Sequence, residues 1–304
     1  MLICDTHADT LHGLQDASRD AAKPFDVTAA HLTSGPADDV RVQALALWTG
    51  VEGLRGKDVG IIDREMQALQ RLESEGFHQV SKLEDARPGV PNFLLTIEGG
   101  EVFQSGLQTV DAFALWGVRI ASLVWNHENP FGHPAVGGNT HGLPGLGKKL
   151  VKRLNEQHIA VDVSHLNAAG VRDVLKYSKA PLIATHSCCD ALCPHPRNLT
   201  DEQLKAIFEV GGYVGINFYP TFLSPTGIAD LDTVVDHIQH MAELGGAKYI
   251  GMGSDFDGIE THPAGLEHAG CVYGLLDRMR GRGFSEEAVV DFAGENFRRY
   301  LAKI

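Results

Sequence analysis

Eight short apolar runs punctuate this 304-residue chain, and amphipathic helical patterns fill the intervals between them. The runs cover residues 2–4, 42–47, 93–97, 118–124, 159–163, 182–184, 213–216 and 250–253. They are apolar at successive rather than alternate positions, as strands covered on both faces of a parallel sheet must be. The intervening patterns have helical period. Met66, Leu69 and Leu72 share one face of 63–75, and Leu146, Leu150, Val151 and Leu154 one face of 146–157. Val171, Val174 and Leu175 mark 167–177, and 232–244 continues the series. Thr200 with Gln203 three residues on is a capping-box start for 200–210, and Ser285 ahead of Glu286 and Glu287 is a helix start for 285–302. The alternation predicts an α/β chain folded as a closed (β/α)8 TIM-like barrel, one domain over residues 1–304. An open doubly wound sheet is the alternative, but its glycine-rich phosphate turn after the first strand is absent.

Polar chemistry sits just past the ends of these runs. His7 and Asp9 follow the first, Glu98 the third, His165 the fifth, His186 the sixth and Asp255 the eighth. The C-terminal ends of barrel strands are where active sites of this fold collect. Imidazoles and carboxylates without thiolates suit Zn²⁺ or a similar divalent ion in an open, catalytic site. A two-residue spacing points His7 and Asp9 the same way on an extended chain. A carboxylate can bridge two ions, so His7, Asp9, Glu98, His165 and His186 form a candidate two-metal set with Glu98 as the bridge. Asp255 is then the candidate proton shuttle. Asp257 ranks behind it, as a structural acceptor near the turn at Gly258. Each of these residues alone has an ordinary explanation as a hydrogen-bonded loop side chain. Their coincidence at strand ends favours a metal-dependent hydrolase.

Composition removes several classes. A net charge of −13 and the lack of any Lys/Arg run argue against nucleic acid as a partner. No stretch approaches a membrane span, and the opening apolar run is too short for a leader, so a cytoplasmic location is expected. The five cysteines, with Cys188, Cys189 and Cys193 close together, lack CxxC zinc spacing and read as small buried residues. Gly142 to Lys149 nearly matches a phosphate-binding loop, but Lys149 stands where a Ser or Thr is needed. His237 and His240 read as a solvated helix face. The glycine-rich stretch 131–147 is long for a βα loop and is expected to form a substrate wall or lid.

Taken together the motifs resemble the membrane (renal) dipeptidase family of metallopeptidases, family M19, over nearly the whole chain. Asp5-Thr6-His7-Ala8-Asp9, Ile97-Glu98-Gly99, Asp162-Val163-Ser164-His165, Thr185-His186-Ser187, Arg197-Asn198 and Gly253-Ser254-Asp255-Phe256-Asp257-Gly258 carry the resemblance, and Val214 to Tyr219 is similar to the family's seventh strand. It implies two zinc ions, hydrolysis of dipeptides including L,D-dipeptides, and a homodimer, in a soluble bacterial-type member. It also implies that Arg197 holds the substrate carboxylate and that Tyr219 lines the same pocket. The mammalian members carry a His near the fourth strand end that contacts substrate; Trp125 falls there in this chain, and His127 is the other candidate for that role. Two rivals stand beside this reading. One is an amidohydrolase acting on a cyclic or non-peptide amide, disfavoured because strand one carries His-x-Asp and no strand end carries Lys. The other is a non-catalytic binding barrel, which would be expected to have lost one of these residues.

Overall fold

The computed structural model describes residues 1–16, 22–50 and 60–304. The strands are β1 (Leu2–Asp5), β2 (Val40–Trp48), β3 (His78–Gln79), β4 (Asn92–Glu98), β5 (Val118–Ser122), β6 (Ala160–Asp162), β7 (Ile183–Ala184), β8 (Tyr213–Ile216) and β9 (Ile250–Met252). They run in the order β2-β1-β9-β8-β7-β6-β5-β4-β3, all pairs are parallel, and β2 also pairs with β4. That last pairing closes eight strands into a barrel and leaves the two-residue β3, not expected from the sequence, attached to β4 alone. The register aligns Trp48 with Glu98, so the last residues of β2 and β4 lie level at the C-terminal mouth.

The expected run 118–124 stops pairing at Ser122, although Leu123 and Val124 are buried. Their carbonyls are taken by side chains, Leu123 O by Asn129 Nδ2 at 2.9 Å and Val124 O by Ser122 Oγ at 3.2 Å. Apolar character reports burial; it does not report ladder pairing. Helices Gly60–Ser74, Gly145–Glu156, Ala168–Tyr177, Asp201–Glu209 and Leu231–Met241 lie where periodicity put them. The capping box at Thr200 is formed in both directions. The last expected helix is two, Glu286–Val290 and Asn296–Leu301, joined through a π-helical turn. Helices Thr109–Leu115 and Val272–Gly281 were not expected: the first buries only Val110 and Phe113, whereas the second buries Val272, Leu275, Leu276 and Met279 at helical spacing.

The barrel interior needs glycine at close approaches. The Thr6 hydroxyl of the β1 end lies 2.6 Å from Thr185 O and 2.9 Å from Met252 O, reaching across the barrel. A Cβ at Gly253 would fall 1.8 Å from Thr185 O, and one at Gly251 2.0 Å from the Tyr213 hydroxyl, so no larger residue fits either place. At the other end Cys4, Val42, Leu94, Ile120, Ala160, Ile183 and Tyr213 pack with Phe297 and Tyr300. Cys4, Cys188, Cys189 and Cys193 are buried free thiols, and Cys271 is half-buried. The expectation for His237 and His240 is corrected. His237 is buried, its Nδ1 accepting from Cys189 N at 3.1 Å and its Nε2 bonded to Leu223 O at 2.9 Å, while His240 pairs with Asp201 at 2.8 Å. Helical spacing placed both rings on one face without revealing that loops cover it.

Candidate active site and metal centre

The residues singled out at the strand ends converge at the mouth of the barrel. Glu98 is the centre. Its Oε1 lies 2.9 Å from His165 Nε2 and 3.7 Å from His186 Nε2, while its Oε2 lies 3.6 Å from His7 Nε2. His7 Nε2 is in turn 3.7 Å from Asp9 Oδ2 and 3.7 Å from Asp255 Oδ1. The two oxygens of one carboxylate thus face two donor sets: His165 with His186, and His7 with Asp9. Donor atoms of Glu98, His165 and His186, of His7, Asp9 and Glu98, and of His7, His186 and Asp255 each fall within 4.8 Å of one another. Glu98 and all three histidines are buried.

Neighbouring residues set the protonation of these groups. Asp162 Oδ2 accepts from the Thr185 hydroxyl at 2.6 Å, so that hydroxyl's oxygen accepts from His186 Nδ1 at 2.8 Å. The proton is then on Nδ1, and the His186 Nε2 lone pair points inward. Asn126 Oδ1 accepts from His165 Nδ1 at 2.9 Å and does the same for His165. Burial pushes the pKa of both rings well below the usual histidine range, with the charge of Arg197 acting in the same direction. Two neutral Nε2 lone pairs therefore face each other at 2.9 Å beside a carboxylate oxygen. That contact is repulsive without a cation and is what a cation needs. On the other side, His7 Nε2, Glu98 Oε2 and Asp9 Oδ1 are buried without a hydrogen-bond partner among the described residues. Burial, reinforced by the charge of Asp9, raises Glu98 to about 8. Burial would lower His7, but the carboxylates of Glu98 and Asp9 overcome it and hold that ring well above its ordinary pKa. The donor set fits divalent cations: crowded carboxylates and orphaned lone pairs, with outer partners that orient the rings.

These side chains open onto a cavity of about 690 Å³ at the barrel mouth. Asp9, Glu98, His165, Arg197, Tyr219, Trp125 and Asp255 all line it. His127 does not; its ring packs 5.6 Å from that of Trp125. Of the long stretch 131–147 only Val136 reaches the lining. Arg197 is buried and makes no side-chain hydrogen bond or ion pair among the described residues, its Nη2 is orphaned, and its guanidinium lies 5.6 Å from the centre of the Phe222 ring. Asp201, four residues further along the chain, pairs with His240. Asp255 Oδ2 accepts from Asn217 Nδ2 at 2.9 Å, and Asn217 Oδ1 accepts from the backbone N–H of Tyr219 at 2.6 Å. His165, Asp255 and Asp257 all have positive φ, a conformation that turns a side chain back over the mouth and that non-glycine residues adopt under constraint. Sequence reading did not assign roles to Asn126, Asn217, Thr185 or Asp162, and Trp48 of the cavity wall was also missed. The Asn before Tyr219 and the Asn after Trp125 were visible in the sequence, but nothing in their spacing says which atom they hold.

The whole chain, residues 1–304, matches the model of the membrane dipeptidase family, peptidase family M19. The chain belongs to that family. Membership makes it a peptide-bond hydrolase of the metallopeptidase class. It is 37% identical over 218 residues to an uncharacterized protein of the pqqA 5′ region of Klebsiella pneumoniae, covering 68% of this chain and 80% of that one. It is 37% identical over 210 residues to an uncharacterized dipeptidase of Schizosaccharomyces pombe, covering 68% of this chain and 51% of that one. In structure it is similar to a metallo peptidase of Rhodobacter sphaeroides solved with a phosphinate mimic of the dipeptide L-Ala-D-Ala. The TM-score is 0.89 at 26% identity, over 100% of this chain and 99% of that one. Among the described residues no helix is long and apolar enough to cross a membrane.

Proposed function

We propose that this M19 protein is a binuclear zinc dipeptidase that cleaves dipeptides bearing a free C-terminal carboxylate, L,D-dipeptides among them. The observation that carries the reading is the pairing of two features in one cavity: a carboxylate shared between two donor sets, and a buried guanidinium with no polar partner among the described residues. His7, Asp9 and Glu98 would hold one ion, and Glu98, His165 and His186 the other. Such ions supply Lewis acidity toward the peptide carbonyl and a nucleophilic water at neutral pH. The remaining work falls to the chain's own side chains. Asp255, fixed by Asn217, accepts the proton of the attacking water and delivers it to the leaving amine. Arg197 pairs with the substrate's terminal carboxylate, which lies one residue beyond the scissile bond and would satisfy its orphaned nitrogen. Tyr219 and Trp125 contribute cavity wall at either side. The Rhodobacter sphaeroides relative is liganded with a phosphinate mimic of the dipeptide L-Ala-D-Ala, which supports a dipeptide as the substrate.

A substrate panel tests this directly. Zinc-loaded protein should hydrolyse both L,L- and L,D-dipeptides. C-terminally amidated dipeptides should be poor substrates. Turnover confined to cyclic or non-peptide amides would replace this reading with the amidohydrolase alternative.

A further inference from the structure

Asp255 sits in a tight turn whose far side is gripped by a segment far away in sequence. The turn is unusual in its backbone. Asp255 and Asp257 both have positive φ, at 68° and 64°, and neither is glycine. Gly258 presses against the chemistry: a Cβ there would lie 2.1 Å from Asp9 Oδ2 and 2.8 Å from Asp255 Oδ1. Two left-handed residues two positions apart persist only where surrounding contacts over-determine them. On the near side those contacts are Asn217 on the Asp255 carboxylate, and His7 O accepting from Asp255 N at 3.2 Å.

The far side depends on Asp26. Its backbone N–H donates to Asp257 Oδ1 at 2.8 Å, and its own Oδ2 accepts from the backbone N–H of Asp257 at 2.9 Å. The two residues close a reciprocal ring across 231 positions of sequence. Thr10 Oγ1, beside Asp9, donates to Asp257 Oδ2 at 2.6 Å and joins the β1 end to the same knot. Asp26 is buried, and His262 Nε2 lies 2.8 Å from its Oδ2. The Asp26 carbonyl accepts from Ala269 N at 2.9 Å, which anchors the segment to the loop that follows the turn. The Asp26 carboxylate supplies an acceptor that meets the exposed N–H of a strained residue two positions from the proton shuttle.

We infer that Asp26 is a positioning residue for the reaction: its exchange with Asp257 holds the 255–258 turn so that the Asp255 carboxylate faces the scissile bond. The inference rests on the role of Asp255 given above. A proton shuttle displaced by a fraction of an ångström to one ångström loses roughly ten- to a hundredfold in rate while substrate binding stays nearly intact. Asp26→Ala should therefore lower kcat by about tenfold or more, with KM within about twofold and zinc content unchanged. Asp26→Asn keeps an acceptor for Asp257 N–H and should recover most of that loss. Thr10→Val, which removes one hydroxyl from the other side of the knot, should give a smaller loss in the same direction, and it serves if Asp26→Ala fails to fold.

The deciding experiment is a double-mutant cycle on zinc-loaded protein with a free dipeptide. If Asp26 acts through Asp255, Asp26→Ala should cost little further kcat in an Asp255→Asn background. The same proportional loss in both backgrounds, or a kcat for Asp26→Ala equal to wild type, would overturn the inference and leave the role of Asp255 standing. If Asp255→Asn alone retains full kcat, the functional reading of Asp255 fails first, and that result is visible in the same data.

Discussion

Asp255→Asn should lower kcat on a free dipeptide by a factor on the order of 10² or more, the usual scale for a general acid–base group. The substitution keeps shape and the contact with Asn217, which can still donate at 2.9 Å to the new amide oxygen. It removes only the capacity to take up a proton. Burial pushes the Asp255 carboxylate above its ordinary pKa, and the charge of Asp9 acts the same way, while His7, Asn217 and Arg197 oppose. A raised pKa makes the carboxylate a better base for a proton that must later be returned to the amine. Zinc content should stay at the wild-type level. Asp255 Oδ1 also lies 3.7 Å from His7 Nε2, and its donor atom falls within one of the three clusters of metal-ligand geometry. Loss of an ion together with activity would therefore reassign Asp255 as a ligand.

Arg197→Met should be the most selective change in the protein. The guanidinium is buried and its Nη2 has no partner, so the group is held ready for an anion that the described residues do not supply. Burial lowers its pKa, with Asp255 and Glu98 the nearest charges acting against that shift. Truncating one member of a buried charge pair costs roughly 2–5 kcal/mol. That corresponds to about 30- to several-thousand-fold in kcat/KM for a substrate with a free carboxylate. A C-terminally amidated analogue makes no such pair. It should be a poor substrate for the wild type and nearly indifferent to the mutation. Comparing kcat/KM for a dipeptide and its amide in both proteins separates charge recognition from general damage. Equal losses on both substrates would remove Arg197 from recognition.

The barrel was legible because parallel strands covered on both faces are mostly apolar along their whole length, and the eight runs stand out between helical stripes. Their ends were less legible. Leu123 and Val124 are as apolar as the strand before them, yet side chains of Asn129 and Ser122 take their carbonyls. The strand-end residues could be named one by one, since each is a ligand type at a predictable place. Their convergence on Glu98 needed the closure of β2 on β4, which no local pattern encodes. The supporting residues were harder. Asn126, Asn217 and Asp26 meet their distant partners, His165, Asp255 and Asp257, across 39, 38 and 231 positions. An Asn or Asp in a loop has many ordinary uses, and sequence does not say which distant N–H or imidazole it meets. His237 shows the converse, a polar residue on a helix face that loops bury and satisfy with two backbone groups.

In the function proposed above, two ions share the Glu98 carboxylate and both are needed to cleave a free dipeptide. The direct measurement is a zinc titration of metal-stripped protein, with bound zinc per chain and the rate of L-Ala-D-Ala hydrolysis followed in the same samples. The expected result is a negligible rate without metal and a rise that reaches its plateau at two ions per chain. Full rate in verified metal-free protein, or a plateau reached at one ion with a second never bound, would contradict it.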